Sequence, residues 1–137
     1  MSKKIFINLP VKDLGKSMAF YSRLGFANNP QFTDEKAACM VVSEDIYCML
    51  LVKSFFKTFT DREIADTTQT TEVINSLMLD SRAAVDDLAE KAYRAGAADF
   101  RPVQDFGFMY GRSFKDLDGH IWEAGYMDPS HINGEGI

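Results

Sequence analysis

Histidine and cysteine are scarce in this chain, two of each in 137 residues. Two cysteines cannot build a disulfide framework. Two histidines, His120 and His131, leave little material for an imidazole-rich metal centre. No glycine-rich loop of the phosphate-cradling kind occurs, so no nucleotide site is expected. No apolar run approaches the roughly 20 residues that span a bilayer as a helix. Positive charge is also short: 15 lysines and arginines stand against 20 aspartates and glutamates, a net charge of −5. That balance argues against nucleic acid and against an anionic membrane as partners, since both are met by basic faces. The opening stretch, Met1 to Pro10, has two lysines but no long apolar segment or small-residue cleavage site. No secretory signal is therefore expected, and the cytoplasm is the expected location.

What is present is a folding composition, 46% apolar and 26% charged. A chain of this size buries enough surface for a core without metal or disulfide staples. Periodicity gives a strand from Ile5 to Val11, then a helix capped by Asp13 that presents Leu14, Met18, Tyr21 and Leu24 and stops at Gly25. Strands follow over Phe26 to Phe32, Ala37 to Ser43 and Ile46 to Lys53, the last two joined by a tight turn at Glu44 and Asp45. The same order then repeats. A strand over Glu72 to Leu79 leads to a helix capped by Asp80 or Ser81. Val85, Leu88, Ala89, Ala92, Tyr93 and Gly96 form its apolar stripe, and Gly96 is its stop. Strands are expected over Ala98 to Val103, Phe108 to Lys115 and His120 to Met127, with Asp118-Gly119 as the last turn.

The fold class is therefore α+β: two βαβββ modules forming one curved mixed sheet around a cleft, with helices outside. The expected organisation is a single domain, with module one over 1–53, a linker or lid over 54–71, module two over 72–128 and a tail over 129–137. The linker holds Phe55, Phe56, Phe59 and Ile64 among polar residues, and reads either as a packed connector or as a short helical flap. The tail lacks periodicity and is expected to fray.

Two stretches carry a resemblance. INLPVKDLGKSMAFYSRLGF, Ile7 to Phe26, and FKDLDGHIWEAGYMDP, Phe114 to Pro129, resemble the opening and closing motifs of the vicinal oxygen chelate superfamily. That group includes glyoxalases, extradiol dioxygenases, fosfomycin-resistance enzymes and bleomycin-binding proteins. FMYGRSFKDLDGHIWE, Phe108 to Glu123, is especially similar to a glyoxalase-related bacterial subgroup. The resemblance covers about Ile5 to Pro129 and specifies the fold, not a reaction.

The resemblance implies a divalent metal held by one ligand from each of four strands. Carried over position by position, the first falls on Phe6, the second near Leu50, the third near Ile74 and the fourth on Glu123. Phenylalanine cannot coordinate, Met49, Leu50 and Leu51 offer no donor, and Asn75 beside Ile74 is a poor ligand. Only Glu123 survives, so no metal site of the glyoxalase kind is expected. His120, three residues earlier, should face the other side of the strand.

Glu123 is the candidate catalytic residue. In an apolar cleft it would serve as general acid or base; otherwise it is a structural or ligand-anchoring carboxylate. Tyr110, Arg112 and Phe114 alternate on one strand and share a face, which suits a planar or anionic ligand or else a plain charge pair. Phe6, Phe56 and Phe59 complete the candidate ligand-binding set, with core packing as the alternative for the aromatics. Cys39 and Cys48 would sit opposite each other if the hairpin turned between Ser43 and Glu44, either as a thiol pair or as two reduced core cysteines.

The expectation is a small-molecule-binding protein of the glyoxalase and bleomycin-resistance type, without a cofactor. It holds an organic ligand in an aromatic cleft and forms a homodimer. The alternative is a glyoxalase-related lyase or isomerase that uses Glu123 with a weakly held Ni, Zn, Mn or Fe ion.

Overall fold

A computed structural model describes residues 3–131, and the chain divides into two compact units, Met1–Thr70 and Thr71–Ile137. The first unit holds β1 (Ile5–Val11), α1 (Leu14–Arg23), β2 (Ala27–Asn29), β3 (Ala37–Val41), β4 (Ile46–Val52) and a short helix α2 (Lys53–Phe56). A 3-10 turn over Lys57–Phe59 continues α2. The second unit holds β5 (Ile74–Met78), α3 (Arg82–Arg94), β6 (Gln104–Asp105), β7 (Met109–Lys115) and β8 (Ile121–Met127). The α+β fold of two βαβββ modules is thus present. Hydrogen bonding gives each module its own four-stranded mixed sheet, ordered β1-β4-β3-β2 and β5-β8-β7-β6. In each, the first strand runs parallel to the last. A parallel neighbour requires a crossover connection, and α1 and α3 begin those connections.

Local chemistry fixes both helices. The Asp13 carboxylate accepts from the Lys16 backbone N–H, and Ser81, rather than Asp80, accepts from that of Ala84. Gly25 at φ +98° and Gly96 at φ +110° terminate them in a conformation that disfavours any Cβ. The buried stripe of α3 is Val85, Leu88, Ala89 and Ala92, as its spacing dictates. That of α1 is Ser17, Phe20, Tyr21 and Leu24, while Leu14 and Met18 are only half-buried. A serine inside the stripe had disguised the phase of the helix.

Three strand boundaries move. The expected strand over Phe26 to Phe32 ends at Asn29, because Pro30 opens a 3-10 turn that Asn29 caps through its side chain. The expected strand over Ala98 to Val103 reduces to one bridge between Ala98 and Lys115. Pairing with β7 resumes only at Gln104 and Asp105, and Pro102 in the gap has no N–H to give to a ladder. The β3–β4 register is one residue off the pairing that would set the two cysteines opposite each other, so Cys39 faces Met49 and Cys48 faces Met40. A one-residue slip inverts the face. The two thiols therefore lie on opposite sides of the sheet, both buried and outside any disulfide, and cannot form a bridge or a shared soft-metal site. Burial also pushes the Cys39 thiol up, away from the reactive thiolate.

Candidate functional site

The second unit's sheet has two chemically different faces. Arg112, Ala124 and Leu77 share one row across β7, β8 and β5, and Phe114, Trp122 and Asn75 share the next. This face is covered by α3: Arg112 reaches Asp86 at 3.2 Å and Glu90 at 2.8 Å on that helix. Alternation places Ser113, Glu123 and Ser76 on the opposite face, again in one row.

Glu123 is held there from both sides. Its Oε1 accepts from the Ser76 hydroxyl at 2.7 Å, and its Oε2 is ion-paired with Arg101. Arg101 belongs to the stretch between the Ala98 bridge and β6, beyond the outer edge of β7. To meet Glu123 on β8 its side chain must cross β7 at the level of Ser113, Glu123's cross-strand partner. The short side chains at Gly111 and Ser113 leave that path open. Arg101 is thus a strap over β7, and Ser113 beneath it is 2% exposed. The Ser113 hydroxyl has no hydrogen-bond partner.

Where residues 99–103 bow away from β7 they leave a hollow of about 430 Å³. Arg101, Arg112, Ser113, Tyr93 and Asp99 supply its polar wall, and Phe100, Pro102 and Val103 its apolar one. Tyr93, from α3, donates its hydroxyl to the Ser113 carbonyl at 2.5 Å. Burial pushes the Tyr93 phenol up and the Asp99 carboxylate adds to the shift, so the phenol keeps the proton it donates. The Arg112 guanidinium lies 5.6 Å from the Tyr93 ring centre, which orders both side chains. The hollow is therefore small and partly apolar, with charged and hydroxyl-bearing side chains along one wall.

The other residues singled out in the sequence fall in two groups. Tyr110, Arg112 and Phe114 do share a face, but it is the one under α3, opposite Glu123. Tyr110 donates to Asp86 at 2.5 Å, and Phe114 is 1% exposed. Of the three, only Arg112 borders the hollow. Phe6, Phe56 and Phe59 belong to the first unit. Phe6 stacks on Tyr47 at 4.6 Å, Phe59 meets Phe55 edge-on at 5.1 Å, and Phe56 is half-buried. Sequence reasoning missed Arg101, Ser76, Ser113, Tyr93 and Asp99. The row shared by Ser76, Ser113 and Glu123 was open to parity counting along three strands. Arg101 gave no signal, because its segment reads as a strand that does not form.

A further ion pair joins α3 to β6, Arg82 with Asp105, bidentate at 2.9 Å, with Arg82 also donating to the Gly107 carbonyl at 3.0 Å. The guanidinium and the Gly107 N–H hold the Asp105 carboxyl below its usual 3.8, at about 2. A lowered folded-state value contributes stability above pH 3.8, lost as pH falls through about 2. Arg82→Gln should therefore flatten the fall in unfolding free energy across that acid window. Urea titrations at successive pH values measure it, and an unchanged acid slope would contradict the assignment.

A divalent metal is the group that relatives of this fold imply, and the donors can be tested by register. Phe6 and Ile74 each stand seven residues before their helix cap, Asn8 and Ser76 five. Asn8 pairs with Met49 as Ser76 pairs with Glu123. The four matching positions are therefore Phe6, Met49, Ile74 and Glu123. Hydrocarbon and a thioether occupy three of them, and both oxygens of the fourth are engaged. Neither unit's pair of positions supplies the several His or carboxylate ligands that a divalent cation requires. Among the described residues, no cluster of three or more His, Cys, Asp or Glu is placed to hold a metal ion.

Comparison with known proteins agrees with the architecture. The bleomycin resistance protein-like N-terminal family matches residues 3–43. The structure of hypothetical protein SA1046 from S. aureus is 32% identical and superposes with a TM-score of 0.76, covering 92% of this chain and 95% of that one. A glyoxalase/bleomycin resistance protein/dioxygenase family enzyme from Burkholderia phytofirmans is 14% identical, with a TM-score of 0.77 over 92% of this chain and 99% of that one. Fosfomycin resistance protein FosX from Mesorhizobium loti is 14% identical, with a TM-score of 0.68 over 96% and 98%. The last two share the fold. No curated protein matches the chain. No helix among the described residues is long and apolar enough to cross a membrane. Two βαβββ modules, the opening and closing motifs and these likenesses agree: the chain belongs to one family with hypothetical protein SA1046 and has the fold of the glyoxalase, bleomycin resistance and dioxygenase proteins.

Proposed function

We propose that this protein binds a small organic molecule beside β7 without a resident metal, and that Glu123 is a fixed anchor rather than a free general base. One observation carries the reading. The carboxylate that stands at the one His- or carboxylate-bearing metal position is already met by Arg101 and Ser76, and Arg101 in turn lines a hollow whose other walls are partly polar and partly apolar. Small-molecule sites have this character: apolar walls, a few placed polar groups, and a volume of some hundreds of Å³. The names of its relatives, glyoxalase, bleomycin resistance and fosfomycin resistance, concern small molecules throughout. A lyase acting through Glu123 would need that residue released from its two partners and a metal supplied with other ligands.

The test uses the full chain stripped with a chelator. Adding Ni, Zn, Mn or Fe in tenfold excess should move its melting temperature by less than about 1 °C, since a ligand that binds only the native state must raise it. A rise of several degrees with any of these ions overturns the metal-free reading. In parallel, a broad fragment set followed by amide NMR should shift residues around Arg101 and Ser113. If no fragment shifts any amide, the small-molecule reading fails.

A further inference from the structure

We infer that the free edges of β1 and β5 form an interface between two copies of this chain, with β1 of one copy laid antiparallel along β5 of the other. Among the described residues, each is the end strand of its sheet and pairs on one side only. The Ile5 N–H is turned toward β4, to the Asp45 carbonyl, and the Leu79 N–H toward β8, to the Gly125 carbonyl. Alternation then turns the backbone groups of Phe6, Asn8 and Pro10, and those of Ile74, Ser76 and Met78, out from the two edges. The apolar side chains there are uncovered as well: Phe6 is 51% exposed, Ile74 40% and Met78 54%. β5 contains neither the lysine nor the proline that commonly guards an edge strand.

Charge selects the pairing. β1 is flanked by Lys4 and Lys12, and β5 by Glu72 and Asp80, all four exposed. Antiparallel and centred on each other, the two strands set Phe6 opposite Met78, Asn8 opposite Ser76 and Pro10 opposite Ile74. Outward backbone groups then meet outward groups, and Pro10, with no N–H to give, ends the ladder. The same register sets Lys4 opposite Asp80 and Lys12 opposite Glu72. Lys4 also reaches Asp45 at 3.3 Å, but that pair is exposed and worth little. The smallest slip that keeps outward groups facing is two residues, and it breaks both charge matches. Two β5 edges centred on each other would set Glu72 against Asp80, and two β1 edges Lys4 against Lys12; like charges directly opposite are destabilising. Each edge therefore rejects its own kind and accepts the other. Every chain carries one of each, so two copies use both edges reciprocally and a twofold axis closes the pair. The pairing also extends the Glu123 row, because Asn8 of the partner subunit comes opposite Ser76, whose hydroxyl holds Glu123.

Sedimentation equilibrium of the full-length protein should give a dimer and no larger species. Lys4→Glu with Lys12→Glu, and separately Glu72→Lys with Asp80→Lys, should each raise the dimer dissociation constant at least about tenfold with an unchanged far-ultraviolet circular dichroism spectrum. Mixed one to one, the two variants should recover the parent's affinity to within about threefold, because each contact of the mixed pair again joins opposite charges. Isotope-filtered NMR of a half-labelled parent sample should place the Phe6 ring beside the Met78 methyl of the partner subunit. A parent that stays monomeric at about 100 µM, an open series of larger species, a dimer indifferent to both charge reversals, or two variants whose mixture stays apart each overturns the inference. If either variant fails to fold, the Phe6–Met78 contact in the parent dimer decides, and its absence overturns the inference as well.

Discussion

Trp122→Ala should lower the unfolding free energy by about 3–5 kcal/mol, the range for emptying a large buried aromatic site. Trp122 is 1% exposed and pairs across β7–β8 with Phe114, itself 1% exposed. Both lie on the face that α3 covers, where Ala89 and Ala92 are fully buried. Small buried residues on the helix face large buried ones on the sheet, and a close-packed surround refills an emptied tryptophan site only in part. Trp122 is the chain's single tryptophan, so its fluorescence is lost with it. Urea unfolding followed by far-ultraviolet circular dichroism measures the change. Globular domains are worth only about 5–15 kcal/mol in total, so a loss below about 1 kcal/mol would show that this contact does not organise the second unit.

The packing that makes Trp122 important was legible in the sequence, and the site beside it was only partly so. The α3 stripe, the caps at Asp13 and Ser81, and the glycine stops at Gly25 and Gly96 are local signals. Each is written in a few consecutive residues and needs no knowledge of the partner surface. The β3–β4 register was not legible, because a hairpin's register depends on where its turn closes, and one residue decided on which face each cysteine lies. The Arg101 strap was hidden for a related reason. Its stretch has strand-like composition, whereas Pro102 and the lapse in pairing with β7 between Ala98 and Gln104 free it to carry a side chain across the sheet. Glu123 was found by motif, but its partners depend on contacts 47 residues away in sequence for Ser76 and on a non-strand segment for Arg101. Parity along β7 separates Arg112 from Glu123, and that separation was derivable once both strands were placed.

The strap yields the second large effect. Arg101→Glu should cost about 2 kcal/mol of stability, between the ~1 kcal/mol of an exposed pair and the 3–5 of a fully buried one. The intermediate value follows from exposure: the Arg101 side chain is 36% exposed and that of Glu123 22%, so water screens the pair without dissolving it. Charge reversal removes the guanidinium from Glu123 and sets a second carboxylate near it. Combining Arg101→Glu with Glu123→Arg restores the attraction with its poles exchanged, and should recover at least half of the loss. Ser76 keeps a role in the swapped pair, because its hydroxyl oxygen can accept from the new guanidinium. A double-mutant cycle in urea, repeated at high salt, reads the coupling between the two positions. Additive losses with no recovery in the swap would mean that Arg101 meets Glu123 without holding it, and the anchor role of Glu123 would lose its support.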